Sequence, residues 1–257
     1  MEILVADDSE ANQLLAERQL AVLGHSAKVV SNGREAVEAL AGCDFALVLM
    51  DCQMPEMDGL EAVREVRRRE ASGTRHTPIV AMTAFATEHD RRACLAAGMD
   101  DYISKPVMLE ALRDLLARWM MDPGSGAGAP DATLDRENAT GPPATMDRAV
   151  LARFREELGD AAFFRFLDVY LSELTARRDT VRDAIAANAP DDVARAAHSL
   201  GSPSAAVGAV ALAGHCRILE SLGRSGTVEG ASETLARFEA ECVGVEEALR
   251  RELEQRA

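Results

Sequence analysis

The first 120 residues switch repeatedly between two hydrophobic periodicities, and few architectures satisfy both. Apolar runs at Ile3–Ala6, Ala27–Val30, Phe45–Met50, Pro78–Met82 and the shorter Asp101–Ser104 read as strands. Helical stretches separate and follow them: one closed by Gly24, then Glu35–Leu40, Gly59–Arg69, Glu88–Ala97 and Val107–Met120. The strands are continuous rather than alternating, as expected for strands covered on both faces. Five strands alternating with five helices predict an α/β, doubly wound, five-stranded parallel sheet.

Residues 121–146 break this rhythm. Eight of the 26 are Gly or Pro, and no helical stripe crosses them. The domain reading is therefore 1–121 for the α/β unit, 122–146 for a flexible Gly/Pro-rich linker and 147–257 for a second unit. As a coil, the linker would span roughly 25–30 Å. Beyond it the pattern is helical only. Phe163, Leu167, Tyr170, Leu171, Leu174, Val181 and Ile185 form one stripe, and Leu235, Phe238, Cys242, Val245 and Leu249 another. Steps of three and four predict an α-helical, four-helix-type bundle.

Charge narrows the partners. Lys and Arg number 28 against 43 Asp and Glu, a net of -15 spread evenly over both halves. With no basic patch to meet phosphates, no nucleic-acid partner is expected. No apolar run reaches the roughly 18–20 residues of a membrane span, so no membrane contact by this chain is expected. The start MEILVADD lacks the basic flank of a signal peptide. The five cysteines are scattered and contain no CxxC, which fits a reducing, cytoplasmic location.

In an open parallel sheet, ligands bind beyond the carboxyl ends of the strands. The first strand ends in Asp7-Asp8, the third in Asp51, the fourth in Thr83 and the fifth in Ser104-Lys105-Pro106. Clustered carboxylates repel unless a cation joins them, and hard oxygen ligands suit Mg²⁺. A carboxylate can act as a nucleophile toward phosphorus, with the metal and an ammonium stabilising the transferring oxygens. Asp51, central among these groups, is the expected nucleophile. Cys52 adjoins it; an inert cysteine is the usual case and redox sensitivity the alternative.

These residues carry a resemblance. Asp7-Asp8, the run from Leu49 through Asp51 to Gly59, Thr83-Ala84 and Ser104-Lys105-Pro106 closely resemble the receiver domain of two-component response regulators. The resemblance implies a flavodoxin-like fold in which Asp51 accepts a phosphoryl group from the phosphohistidine of a sensor histidine kinase. It implies Mg²⁺ held by Asp8, Asp51 and the main-chain carbonyl of Gln53, with Asp7 acting through water. It further implies that Lys105 and Thr83 bind the phosphoryl oxygens, and that Tyr102 is the aromatic switch that turns inward as Thr83 moves. The Lys105-Pro106 bond is often cis in this family.

In the second unit, Val193, Ala197, Leu200, Ser204 and Val207 fall near one line at 100° per residue. His198 lies about 140° from Val193, the first residue of that stripe, and is expected to project into solvent with Ser202 on the same face. An exposed imidazole is a competent phosphoryl nucleophile. Ala197-His198-Ser199-Leu200, Val207-Gly208-Ala209, Leu212, Cys216, Leu219-Glu220 and Gly223-Arg224 resemble a histidine phosphotransfer (HPt) domain. That resemblance implies a phosphohistidine at His198. The family usually carries Lys-Gly-Ser where this chain has Gly201-Ser202-Pro203. A proline inside a helix costs about 3 kcal/mol or more. A kink or break is therefore expected just after His198, with Ser202 as cap and Pro203 in the first turn of a new helix.

Together these features predict a phosphorelay protein without its own kinase core, exchanging phosphoryl groups with a sensor histidine kinase and with other receiver or HPt proteins. The alternative is a phosphorylation-gated binding or dimerisation module whose bundle is inactive in transfer. A DNA-binding regulator is disfavoured by the acidic second half. The chain reads either as complete or as the C-terminal part of a hybrid kinase.

Overall fold

The structure is a computed structural model that describes residues 1–71, 73, 76–83, 88–121 and 146–254. The chain forms two compact units, Met1–Leu134 and Asp135–Ala257. Residues 122–145, the body of the expected linker, lie outside the described residues, as does Ala84.

The first unit is a five-stranded, wholly parallel sheet of order β2-β1-β3-β4-β5. Its strands are β1 (Glu2–Ala6), β2 (Ser26–Val30), β3 (Leu47–Asp51), β4 (Ile79–Thr83) and β5 (Asp101–Ser104). Between and after them run α1 (Glu10–Val22), α2 (Gly33–Gly42), α3 (Gly59–Glu70), α4 (Glu88–Ala97) and α5 (Leu109–Met121). Successive strand residues face opposite sides, so the sheet carries two cores. Ile3, Val5, Leu47, Leu49, Val80 and Met82 pack with Leu20 of α1 and Leu112, Leu115 and Leu116 of α5. Leu4, Val48, Met50 and Ile79 pack on the other side with Val37 and Leu40 of α2, Val63 and Val66 of α3 and Cys94 of α4. Each fully buried aliphatic side chain contributes roughly 1.5–3 kcal/mol, which explains why the runs Ile3–Ala6 of β1, Leu47–Met50 of β3 and Ile79–Met82 of β4 are apolar without a break.

The loops leaving the strands start helices with matched caps. Ser9 accepts from the Asn12 amide at 3.2 Å, Asn32 from Glu35 at 2.9 Å and Asp58 from Glu61 at 2.7 Å. Strand order reverses between β1 and β3, because the chain moves outward to β2 and then returns past β1. This reversal is the switch point at which an open α/β sheet leaves a crevice.

The second unit is all helical: α6 (Arg148–Leu158), α7 (Asp160–Ala186), α8 (Pro190–Ala206), α9 (Val210–Arg224) and α10 (Ala231–Glu254). Helices α7 to α10 form the bundle, and α6 adds Phe154, whose ring meets Phe166 at 4.9 Å and Phe163 at 6.1 Å, both edge-on. Most of each predicted stripe is buried, with Phe163, Leu167, Tyr170, Leu171, Leu174 and Val181 on α7 facing inward and Phe238, Cys242, Val245 and Leu249 doing so on α10, while Ile185 and Leu235 are half-buried.

Helix α8 corrects two expectations. The break predicted after His198 does not occur: one helix runs from Pro190 to Ala206 with Pro203 inside it. Ser202 is buried instead of lying exposed beside a new helix start. The reason is burial on both sides. Helix α8 packs against α7 and α9, and Val193, Ala194, Ala196, Ala197, Leu200, Ser204 and Ala206 are all buried along with Pro203. Packing on that scale outweighs the missing proline N–H.

Candidate functional site

The register aligns the strand ends. Met50 lies opposite Ala6, Asp51 opposite Met82 and Thr83 opposite Ser104. The residues that follow each strand therefore meet at one edge. Asp7 and Asp51 are buried, Asp8 is half-buried, and carboxylate oxygens of all three lie within 4.8 Å of one another. Lys105 reaches into this group, its Nζ 2.7 Å from Asp7 Oδ2 and 2.6 Å from Asp51 Oδ2. Its backbone amide donates to the Thr83 carbonyl at 2.8 Å, and the following Lys105-Pro106 peptide is cis. The Gln53 amide donates to Asp51 Oδ1 at 3.2 Å, while the Gln53 side-chain oxygen is buried without a hydrogen-bond partner.

One ammonium among three carboxylates leaves net negative charge in a dry place. Asp7 is raised to about 6 from the ordinary aspartate value of 3.8, chiefly by burial, with Lys105 opposing the rise and Asp51 and Asp8 adding to it. For Lys105, burial opposes the charge, but Asp51 and Asp7 outweigh it and hold the ammonium protonated well above its usual range. The donor set is all oxygen, crowded and short of two positive charges, and so fits a hard divalent cation.

Other elements hold the group in place. The Ser9 amide and Asn12 Nδ2 both donate to Asp7 Oδ1, at 3.0 and 3.1 Å. Gly59 lets α3 start against β3, since a Cβ there would fall 2.0 Å from the Asp51 carbonyl oxygen. Thr83 is buried at the end of β4. Tyr102 is half-buried, with the Arg91 guanidinium 5.5 Å from its ring centre.

The second candidate residue is placed differently from expectation. His198 is 5% exposed instead of facing solvent. Its Nδ1 meets Glu220 Oε1 at 2.8 Å, and Arg224 Nη2 meets the same oxygen at 2.8 Å. Glu220 is 2% exposed on α9. The wheel treats α8 as having one buried stripe, whereas α9 covers the face that carries His198. Glu220 and Arg224, expected only as part of the HPt resemblance, complete the site around His198. Glu220 continues the buried steps of Leu212, Cys216 and Leu219, and a carboxylate in an apolar stripe requires a partner.

Known proteins resemble both units. The family model described as response regulator receiver domain matches residues 3–117, and the Hpt domain model matches residues 165–256. This chain is a receiver domain followed by an Hpt domain. Signal transduction histidine-protein kinase BarA of Shigella flexneri is 32% identical over 231 residues, covering 89% of this chain and 24% of BarA. Sensor histidine kinase GacS of Pseudomonas protegens is 32% identical over 229 residues, covering 86% of this chain and 24% of GacS. The chain thus spans about a quarter of the length of these curated relatives. Among solved structures, the receiver domain of sensor histidine kinase PA1611 from Pseudomonas aeruginosa, which has magnesium in its active-site cleft, is 40% identical. That match covers 47% of this chain and 97% of that one, with a TM-score of 0.43. The receiver match contains the carboxylate crevice, and the Hpt match contains His198 and Glu220.

Proposed function

We propose that this chain relays phosphoryl groups between histidine and aspartate, with Asp51 and His198 as the two carriers. The observation that carries the reading is the buried cluster of Asp7, Asp8 and Asp51 with Lys105 on two of its carboxylates. A carboxylate oxygen of Asp51 forms the new P–O bond as the P–N bond of a sensor kinase phosphohistidine breaks, and the donor imidazole leaves with the nitrogen's electron pair. Lys105 and Thr83 receive the phosphoryl oxygens, and burial keeps water from competing. Asp8, Asp51 and the Gln53 main-chain carbonyl would hold Mg²⁺, with Asp7 acting through water. The metal supplies divalent charge that offsets carboxylate and phosphoryl repulsion. Tyr102 is the switch position, turning inward as Thr83 engages the phosphoryl group.

In the Hpt domain, Glu220 fixes the His198 ring through Nδ1, which makes Nε2 the nitrogen to carry the phosphoryl group. The partners are a sensor histidine kinase and receiver or HPt proteins, and the setting is cytoplasmic. Among the described residues no helix is long and apolar enough to cross a membrane. Residues 1–121 and 147–257 would act as the working units, joined by 122–146.

The second reading is a phosphorylation-gated binding or dimerisation module. It is favoured by the near-complete burial of His198 and by Gly201 where the family carries Lys. Labelled phosphoryl transfer separates the two. The relay reading expects Asp51→Asn to lose label on the receiver and His198→Gln to lose label on the bundle. If His198→Gln passes label as wild type does, the relay reading fails.

A further inference from the structure

Cys52 and Cys94 stand 3.6 Å apart, sulfur to sulfur. Cys52 directly follows Asp51 and is half-buried, while Cys94 lies buried on α4. Both pack in one apolar cluster with Tyr102. The same helix carries Arg91, whose guanidinium lies over the Tyr102 ring. The two sulfurs therefore span from the strand that bears the nucleophile to the helix that faces the switch position. Residue 52 is also pinned by its backbone: its amide donates to the Met82 carbonyl at 3.3 Å, and its carbonyl accepts from Gly59 at 3.2 Å.

We propose that Cys52 and Cys94 form a dithiol–disulfide couple, oxidised by a low-molecular-weight disulfide, whose bonded form is a poor phosphoryl acceptor. This consequence rests on the reading of Asp51 as the acceptor. Cys52 is the more accessible sulfur and reacts first. Its thiolate attacks one sulfur of the small disulfide, the S–S bond breaks, and one small thiol leaves. The Cys94 thiolate then attacks Cys52 Sγ in the mixed disulfide and expels the second small thiol. Two electrons and two protons pass from the protein to the small disulfide.

Bond formation has a geometric consequence. The sulfurs must close from 3.6 Å to about 2.05 Å. That movement, roughly 1.5 Å, is shared between the end of β3 and α4. Because residue 52 is held on both sides, the shift reaches Asp51, whose Oδ2 sits 2.6 Å from Lys105. Misplacing a reacting atom by about 1 Å can cost up to a hundredfold in rate. Cys94 is buried and Cys52 half-buried, so exchange is slow and is followed to equilibrium.

The test uses the full chain carrying Cys43→Ser, which removes the exposed cysteine. The protein is equilibrated with oxidised and reduced glutathione, quenched in acid, alkylated and mapped by mass spectrometry. Receiver labelling from a small acyl phosphate is measured in parallel. The expected result is a peptide linked through Cys52 and Cys94, a fall in labelling of about tenfold to a hundredfold, and full recovery with dithiothreitol. Cys52→Ala should label normally and ignore the oxidant, while Cys94→Ala should label normally when reduced and, with oxidant, carry a mixed disulfide on Cys52 and no linked peptide. Absence of the linked peptide at equilibrium overturns the couple. A linked peptide with unchanged labelling overturns its effect on Asp51. No label on the reduced protein would instead overturn the acceptor reading, and peptide mapping would still decide the couple.

Discussion

Magnesium binding to the receiver should carry a proton dependence that belongs to Asp7. This carboxyl titrates near 6 in the folded chain, against an ordinary value of 3.8. A divalent ion needs it ionised, so apparent affinity scales with the ionised fraction. Between pH 7 and pH 5 that fraction falls about tenfold, equivalent to about 1.4 kcal/mol. With an ordinary aspartate the same interval would change affinity by less than about a tenth. Near pH 6 each ion should displace about half a proton. Isothermal titration of chelator-treated protein with MgCl₂, in buffers of different ionisation enthalpy, measures both quantities. Asp7→Asn should bind more weakly and lose the pH dependence. Equal wild-type affinity at the two pH values would refute the assignment, as would a full tenfold change in Asp7→Asn.

The same shift sets a sign for stability. Asp7 binds its proton more tightly folded than unfolded, so its contribution is favourable at low pH. It is lost as pH rises from near 4 through about 6, by roughly 3 kcal/mol without metal. Glu70 works in the opposite direction. Its burial is outweighed by hydrogen bonds from Thr77 and Arg67, which hold it below its ordinary value, so its contribution is lost as pH falls. The magnesium-induced increment isolates the Asp7 cluster better than total stability does.

Other substitutions probe the remaining contacts. Lys105→Met strips the shared cation from Asp7 and Asp51 and should cost about 3–5 kcal/mol at neutral pH, less at pH 5 as Asp7 protonates; a loss independent of pH in denaturant titrations would contradict this. Glu220→Gln keeps the shape beside His198 but removes the charge, and should slow phosphoryl transfer by about tenfold to a hundredfold with unchanged circular dichroism. Gly223→Ala would place a Cβ 2.4 Å from the Pro190 carbonyl oxygen and 2.7 Å from the Ala194 nitrogen. It should therefore destabilise the bundle by about 1–3 kcal/mol. Gly201→Ala meets nothing closer than Cys216 Cβ at 3.7 Å and should stabilise α8 by up to about 1 kcal/mol. The same urea midpoint for both glycine variants would contradict the packing described.

The receiver was legible because its strands are buried on both faces. Continuous apolar runs such as Leu47–Met50 leave no ambiguity of face, and the polar residue ending each run marks the sheet edge. Even the bounds of α4 and β5 read directly from Glu88–Ala97 and Asp101–Ser104. The support under Asp7 was not legible. Asn12 reads as a polar residue on a weakly amphipathic helix, and only the fold shows its Nδ2 on the carboxylate. In the bundle, the wheel found the stripe of Val193, Ala197 and Leu200 but could not count how many helices cover α8. Its small residues, Ala194, Ala196, Ala197, Gly201 and Ala206, were the available sign that neighbours approach on more than one side.

That second neighbour changes the weight of the departure at Gly201. Reading α8 alone, losing the family's Lys removes the positive charge near His198. In the fold, His198 lies between α8 and α9, and α9 carries Arg224. Nδ1 of His198 and Nη2 of Arg224 share one oxygen of Glu220 at 2.8 Å each, so the two nitrogens are at most twice that distance apart. The guanidinium also balances a carboxylate that is 2% exposed and would otherwise be costly to bury. A positive charge is therefore present beside the imidazole, supplied by the facing helix and tied to the residue that orients the ring. Gly201, with only Cys216 Cβ at 3.7 Å from an added methyl, is then a matter of helix propensity and close packing more than of lost charge.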